Sequence, residues 1–168
     1  MQKLTTKKIA RTGVISAIYA VTCLLTLPIS GGAVQMRVSE ALTLLPLFMP
    51  ESVIALFVGC LIANLITGCF LLDVILGSLV TLLAGFLTYL VGRIIKNLTL
   101  KVIIGGLFPV LLNAFLLPVI WYFAYGQLEY VYWLQVLLLF VGQTASVYIF
   151  GSLLVIAVNK LIKKGKLV

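Results

Sequence analysis

The amino-acid sequence predicts an all-α integral membrane protein, a bundle of six transmembrane helices whose second helix is short or broken. Three observations predict this fold: the composition, apolar stretches of bilayer-spanning length, and basic residues concentrated on one side. The composition is 63% hydrophobic and 10% charged, and the mean hydropathy is +1.27. Soluble domains are about half apolar and about one-quarter charged, so a water-soluble globular fold is excluded. We expect the 168 residues to form a single membrane domain, 1–168.

The apolar stretches give the order of the predicted helices. A spanning helix needs about 20 largely apolar residues. Five stretches have about that length and one is shorter, and together they cover 9–28, 38–49, 51–71, 74–92, 102–124 and 131–159. The short stretch contains Pro46 and is followed by Pro50. Because proline interrupts helical hydrogen bonding and irregular backbone in a membrane must be covered by protein, we expect this segment inside the bundle.

The charge distribution predicts the orientation. With six crossings and a cytoplasmic N-terminus, Arg37 is the one basic residue of twelve on the outer side. The remaining basic residues then lie inside: Lys3, Lys7, Lys8, Arg11, Arg93, Lys96, Lys101, Lys160, Lys163, Lys164 and Lys166. This agrees with the positive-inside rule and explains the net charge of +8 without a nucleic-acid surface. We therefore expect a multi-pass protein with both termini cytoplasmic. A cleaved signal peptide is the alternative for the first stretch, but its apolar run is long for one.

Several classes of chemistry are excluded by what the sequence lacks. It contains no histidine, so histidine catalysis and histidine metal sites are excluded. Its three cysteines lie in apolar runs without C-x-x-C spacing. Neither a G-x-x-x-x-G-K-[ST] phosphate loop nor a nucleophile motif is present. We expect no enzymatic activity, no metal and no cofactor.

Four polar residues are predicted at similar depth near the outer face. Arg37 and Glu40 are three residues apart, so on a helix they share a face and can pair. Asn64 lies in the outer half of the third helix, and Asp73 opens the fourth. Because polar groups in a membrane are costly, the four together predict a ligand site. The alternative is an ion pair at the rim and a carboxylate at a helix N-terminus.

The last two helices add three candidates. Asn113 and Trp121 are eight residues apart and share a helix face. Trp121 belongs to an aromatic group typical of a membrane interface, although a ring there could also stack on a flat ligand. Gln143 lies near the midplane, where it either bonds a neighbouring helix or faces the pocket.

Small residues form a seam along the first helix: Ala10, Gly13, Ala17 and Ala20. Such a seam allows another helix to approach closely, either within this bundle or from a second membrane subunit. The combined features predict a small-solute binder that needs a partner for energy.

Three segments resemble one known family. The run VQMRVSEALTLLP over 34–46, GCLIAN over 59–64 and DVILGSLVTLL over 73–83 resemble the QueT family of queuosine-precursor transporters. The resemblance covers essentially the whole chain, and the R-x-S-E-A-L-T run is its most specific part.

The resemblance implies a substrate-binding S component of an energy-coupling factor (ECF) transporter in the cytoplasmic membrane of a bacterium. Such a subunit binds a vitamin-like solute from outside and docks on a transmembrane coupling protein served by two ATPase subunits. Docking would use Gly13 and Ala17, with the seam extended by Ala10 and Ala20. The family usually has alanine at the position of Gly13.

The implied solute is an aminomethyl- or cyano-deazaguanine. Glu40 or Asp73 would accept its adjacent N–H groups. Asn64, Asn113 or Gln143 would bind the ring carbonyl. An aromatic ring such as Trp121 would stack on the base. Arg37 would either contact the ligand or orient Glu40. The alternatives are an S component for another vitamin, a standalone carrier or channel, a membrane enzyme, and a structural subunit.

Overall fold

The structure is a computed structural model that describes residues 6–30 and 34–164, without the side chains of residues 29 and 30. Lys3, Lys166 and loop residues 31–33 therefore lie outside the described residues. Every regular element within them is helical: α1 (Thr6–Leu25), α2 (Leu27–Ser30), a 3₁₀ helix (Val38–Leu47), α3 (Glu51–Ile66), α4 (Leu71–Ile94), α5 (Leu98–Tyr125), α6 (Tyr132–Thr144), a π-helical segment (Ala145–Phe150) and α7 (Gly151–Lys163).

The helices fit a count of six. Four are long and apolar enough to cross a membrane, namely α1, α4, α5 and the continuous rod Tyr132–Lys163, in which the π-helical segment joins α6 to α7. The 3₁₀ helix and α3 are the two shorter apolar helices.

The prediction of five full-length apolar helices was wrong for the third stretch, 51–71, which forms a shorter helix. Helix α3 ends at Ile66 after 16 residues, which is about 24 Å and shorter than a bilayer core of about 30 Å. The hydroxyl of Thr67 donates to the carbonyl of Ala63, and Gly68 has a φ of 73°. This left-handed conformation, which suits glycine, ends the helix.

The 3₁₀ helix lies at the centre of the bundle. It contacts α1, α3, α4, α5, α7 and the π-helical segment. Leu44 and Leu47 pack in an apolar core with Val91 of α4, Val110 of α5 and Val155 of α7. The surrounding helices thus cover the irregular backbone, as a membrane interior requires.

Helices α1 and α3 pack closely against each other. A Cβ atom at Gly59 would lie 2.8 Å from the Cβ of Tyr19 and 2.9 Å from the carbonyl oxygen of Ser16. The hydroxyl of Ser16 donates to the carbonyl of Ala55 at 2.9 Å. Gly59 therefore allows the two backbones to meet near the middle of α1.

The two ends of the bundle differ in charge. At one end, here named the Arg11 end, Arg11 forms a 3.3 Å ion pair with Glu51, and α4 and α7 terminate in basic last turns. The opposite end, named the Asp73 end, holds the start of α4 and the loop that joins α5 to α6. The helix order places Arg93 and Lys163 at the Arg11 end, because α4 and the Tyr132–Lys163 rod both start at the Asp73 end.

Candidate functional site

A wide cavity of about 410 Å³ opens at the Asp73 end. It is bounded by the loop before the 3₁₀ helix, the turn after α3, the first turn of α4, the end of α5 and the start of α6. Its polar lining includes Gln35, Arg37, Asp73, Glu129 and Gln135. The half-buried ring of Trp121 provides an aromatic wall.

A narrow cavity of about 10 Å³ adjoins the wide cavity. Arg37 and Asp73 line both spaces. A volume of this size is about that of one water-sized probe. The narrow cavity is lined further by Glu40, Cys60, Asn64, Thr81 and Asn113, so polar side chains continue from the wide cavity into the centre of the bundle.

Glu40 is the most deeply buried acid of the site, with 2% of its surface exposed. Its carboxylate accepts hydrogen bonds from the hydroxyl of Tyr19 at 2.7 Å and from Nδ2 of Asn113 at 3.3 Å. Nδ2 of Asn113 also donates to Oε1 of Gln143 at 3.2 Å. Burying a carboxylate is unfavourable unless it is hydrogen-bonded, and here helices α1 and α5 supply the donors.

Arg37 and Glu40 do not form the ion pair that their spacing allows. In the part of the chain that the structure describes, the Arg37 guanidinium lies more than 4.0 Å from any carboxylate oxygen. Arg37 precedes the 3₁₀ helix with an extended backbone, φ −89° and ψ 104°. It therefore stands outside the helical turn that directs Glu40 towards Tyr19 and Asn113.

Asp73 lies in the first turn of α4 and is buried. Its Oδ2 accepts a hydrogen bond from the hydroxyl of Tyr125 at 3.3 Å, and that hydroxyl accepts one from the backbone N–H of Phe70. Nearby, Nδ2 of Asn64 donates to the sulfur of Cys60 at 3.6 Å. A Cβ atom at Gly77 would lie 3.2 Å from Oδ1 of Asp73, so the glycine leaves room beside this carboxylate.

The structure brings the seven predicted site residues to one region. Five line the narrow cavity: Arg37, Glu40, Asn64, Asp73 and Asn113. Trp121 lines the wide cavity. Gln143 lines neither cavity and bonds to Asn113 on the neighbouring helix, which is one of the two alternatives that its position allowed.

The site also contains residues that were not among the predicted site residues. Tyr19 holds Glu40, Tyr125 holds Asp73, and Gln35 and Gln135 line the wide cavity. Gln135 could have been predicted from the sequence, because it lies eight residues before Gln143 and shares its helix face. Tyr19 could not have been predicted in this way, since its partner Glu40 is 21 residues away and on another helix.

The predicted seam borders a separate apolar groove between α1 and α3, with a volume of about 910 Å³. Gly13 and Ala17 are exposed along it, and a Cβ atom at Gly13 would meet no atom within 4 Å. Ala20 also borders the groove but packs against Cys23 and Ala63. Ala10 is exposed outside the groove lining. Groove residues of α3 include Ile54, Val58 and Ile62.

Comparison with known proteins identifies the family of the chain. Residues 9–160 match the model of the QueT transporter family. Neither curated proteins nor solved structures gave a match. The matched region contains both cavities and nearly all of the apolar helices. This is a family of transporters and not of enzymes. The match covers most of the sequence, and this multi-pass membrane protein belongs to the QueT transporter family.

Proposed function

We propose that this chain is the substrate-binding S component of an ECF transporter and that it takes up a queuosine precursor, an aminomethyl- or cyano-deazaguanine. The observation that carries the proposal is the wide cavity, because its polar lining continues to Asp73 and Glu40 inside a largely apolar bundle. Its volume of about 410 Å³ lies within the range of about 300–1,000 Å³ that is typical of ligand cavities.

Asp73 is the carboxylate that we assign to the ligand. It lines both cavities and accepts a hydrogen bond from the hydroxyl of Tyr125. A carboxylate can accept two adjacent N–H groups of a guanine-like edge at once. Glu40 is already held by Tyr19 and Asn113, so it defines the floor of the site and adds negative charge there.

The remaining residues complete the proposed contacts. Asn64 lines the narrow cavity and presents its amide to a ring carbonyl. Asn113 lines it too, but its Nδ2 already donates to Glu40 and to Gln143, so it contributes by holding Glu40. Trp121 stacks on the flat base from the wall of the wide cavity. Gln143 positions Asn113 through its 3.2 Å hydrogen bond, and Arg37 balances the negative charge of the two carboxylates from its place in both linings.

An S component takes its energy from a partner, and this sequence has no phosphate loop of its own with which to hydrolyse ATP. We place the coupling protein in the α1–α3 groove, where Gly13 and Ala17 leave space for another helix. Small residues at a helix interface permit close backbone approach in membranes. Two ATPase subunits bound to the coupling protein would supply the energy.

The proposed orientation follows from the difference in charge between the two ends. The Arg11 end, rich in basic residues, faces the cytoplasm together with both termini. The Asp73 end then faces the outside of a bacterial cell, and the wide cavity captures the solute from there.

The deciding experiment is isothermal titration of the purified protein in detergent. The ligands are aminomethyl-deazaguanine, cyano-deazaguanine, guanine, thiamine and riboflavin. Tight and selective binding of a deazaguanine is expected. Binding of a different vitamin would retain the S component and remove the queuosine assignment, and transport by this chain alone in liposomes would contradict the coupling proposal.

A further inference from the structure

Within the described residues, five buried side-chain polar atoms have no hydrogen-bond partner, and the carbonyl oxygen of Gln135 is one of the two that belong to residues lining the wide cavity. Gln135 lies in the first turn of α6, is 2% exposed and lines the wide cavity. Its Oε1 is buried and, within the described residues, accepts no hydrogen bond. Most buried side-chain polar atoms are paired, and an unpaired one is costly.

Gln35 repeats this feature on the same cavity. Its Oε1 is also buried without a partner among the described residues, and its side chain contributes to the cavity lining from the loop before the 3₁₀ helix. Two unpaired carbonyl oxygens thus accompany the carboxylates of Asp73 and Glu129 on one cavity. Its lining is rich in hydrogen-bond acceptors, and a solute that donates N–H groups would satisfy them.

Gln143 differs from Gln135 in its carbonyl oxygen, although its own Nε2 is buried without a partner among the described residues. It is fully buried on the same rod, yet its Oε1 accepts a hydrogen bond from Asn113 and it lines neither cavity. The two glutamines are therefore a matched pair that differs in whether the carbonyl oxygen is used by the protein.

We propose that Gln135, with Gln35, contacts the substrate directly and selects solutes that present N–H donors to the wide cavity. The inference rests on the proposed function, since it assigns these residues to the same ligand as Asp73. It adds specificity: Asp73 supplies the charged acceptor, and the two glutamines supply neutral acceptors.

The test compares three variants of Gln135 and Gln143 in the full-length protein in detergent. Gln135→Met removes the acceptor and nearly keeps the side-chain length, whereas Gln135→Glu retains an acceptor oxygen. Gln143→Met removes the acceptor that Asn113 uses. Leu137→Met, at an exposed position of α6 outside the cavity, controls for the introduced methionine.

Two readouts are needed, the Kd for aminomethyl-deazaguanine and the thermal midpoint without ligand. We expect Gln135→Met to weaken binding about tenfold, the order expected for one buried hydrogen bond, and Gln135→Glu to restore most of the affinity. The thermal midpoint of Gln135→Met should equal or exceed that of the unmodified protein, because no internal hydrogen bond is lost. Gln143→Met should lower it.

The outcomes separate the inference from the proposed function. If the unmodified protein binds the ligand and Gln135→Met binds equally well, the inference is overturned and the proposed function stands. If the unmodified protein binds no deazaguanine, the proposed function fails and the thermal midpoints decide the inference. If Gln135→Met then lowers the thermal midpoint as much as Gln143→Met does, Gln135 has a structural role and the inference is overturned.

Discussion

The hydroxyl of Tyr19 donates a 2.7 Å hydrogen bond to the carboxylate of Glu40. This contact joins α1, which borders the apolar groove, to the 3₁₀ helix, which forms the floor of the candidate site. Both side chains are almost completely buried. The contact therefore links the two surfaces to which we assign solute binding and partner docking.

Tyr19→Phe should destabilise the protein. The change preserves the ring and removes a donor to a buried carboxylate, a hydrogen bond worth about 1.5–3 kcal/mol. Thermal unfolding in detergent measures the loss. Tyr148→Phe is the matched control, because it removes a 2.7 Å hydrogen bond to the backbone carbonyl of Ile103, away from both cavities. Only Tyr19→Phe should also weaken ligand binding; equal binding by both variants would contradict the proposed floor of the site.

Asp73→Asn should weaken ligand binding about 10- to 100-fold, because a charge-assisted hydrogen bond contributes about 1.5–3 kcal/mol. Glu40→Gln should weaken binding and also lower the thermal midpoint, since Tyr19 and Asn113 both donate to the carboxylate. Titration calorimetry measures the affinities. Glu51→Gln neutralises an acid that pairs with Arg11 at the opposite end, and binding should survive it. Unchanged affinity in Asp73→Asn would remove Asp73 from the proposed site.

Gly13→Leu and Ala17→Leu should prevent co-purification with the coupling protein while the ligand still binds. Both positions are exposed along the groove, so the larger side chains fill the groove without disturbing the bundle. Affinity purification of the complex provides the measurement. Val14→Leu is the control, because Val14 is 58% exposed and lies outside the groove lining. A complex that survives both leucine substitutions would show that docking occurs elsewhere.

Cys69 should react with a membrane-impermeant maleimide in intact cells. It is half-buried and lines the wide cavity, whereas Cys23 and Cys60 are buried. A bound solute should slow the labelling several-fold because it occupies the same cavity. Cys69→Ser should abolish the signal and identifies the reacting thiol. Labelling that requires permeabilised cells would reverse the proposed orientation of the bundle.

Much of the architecture could be predicted because the bilayer imposes simple rules on the sequence. A spanning helix needs a minimum apolar length and unpaired polar groups are costly in hydrocarbon. These rules predicted the membrane class, the six-helix count and the short second segment around Pro46. They also directed attention to polar residues such as Glu40 and Asp73, because burying a charged group in a membrane is energetically unfavourable and such groups commonly have a functional role.

Only the tertiary structure decided which hydrogen-bond partners those polar residues have. Hydropathy along the chain does not determine the rotation of one helix against another, so it could not pair Glu40 with Tyr19, or leave Gln135 without a partner on the wide cavity. Nor could the apolar run after Glu51 show that α3 stops at Ile66, since that end depends on the conformation of Gly68. The sequence by itself determined which side chains are costly in the membrane. Packing between helices decided which of them are satisfied by the protein and which face the cavity.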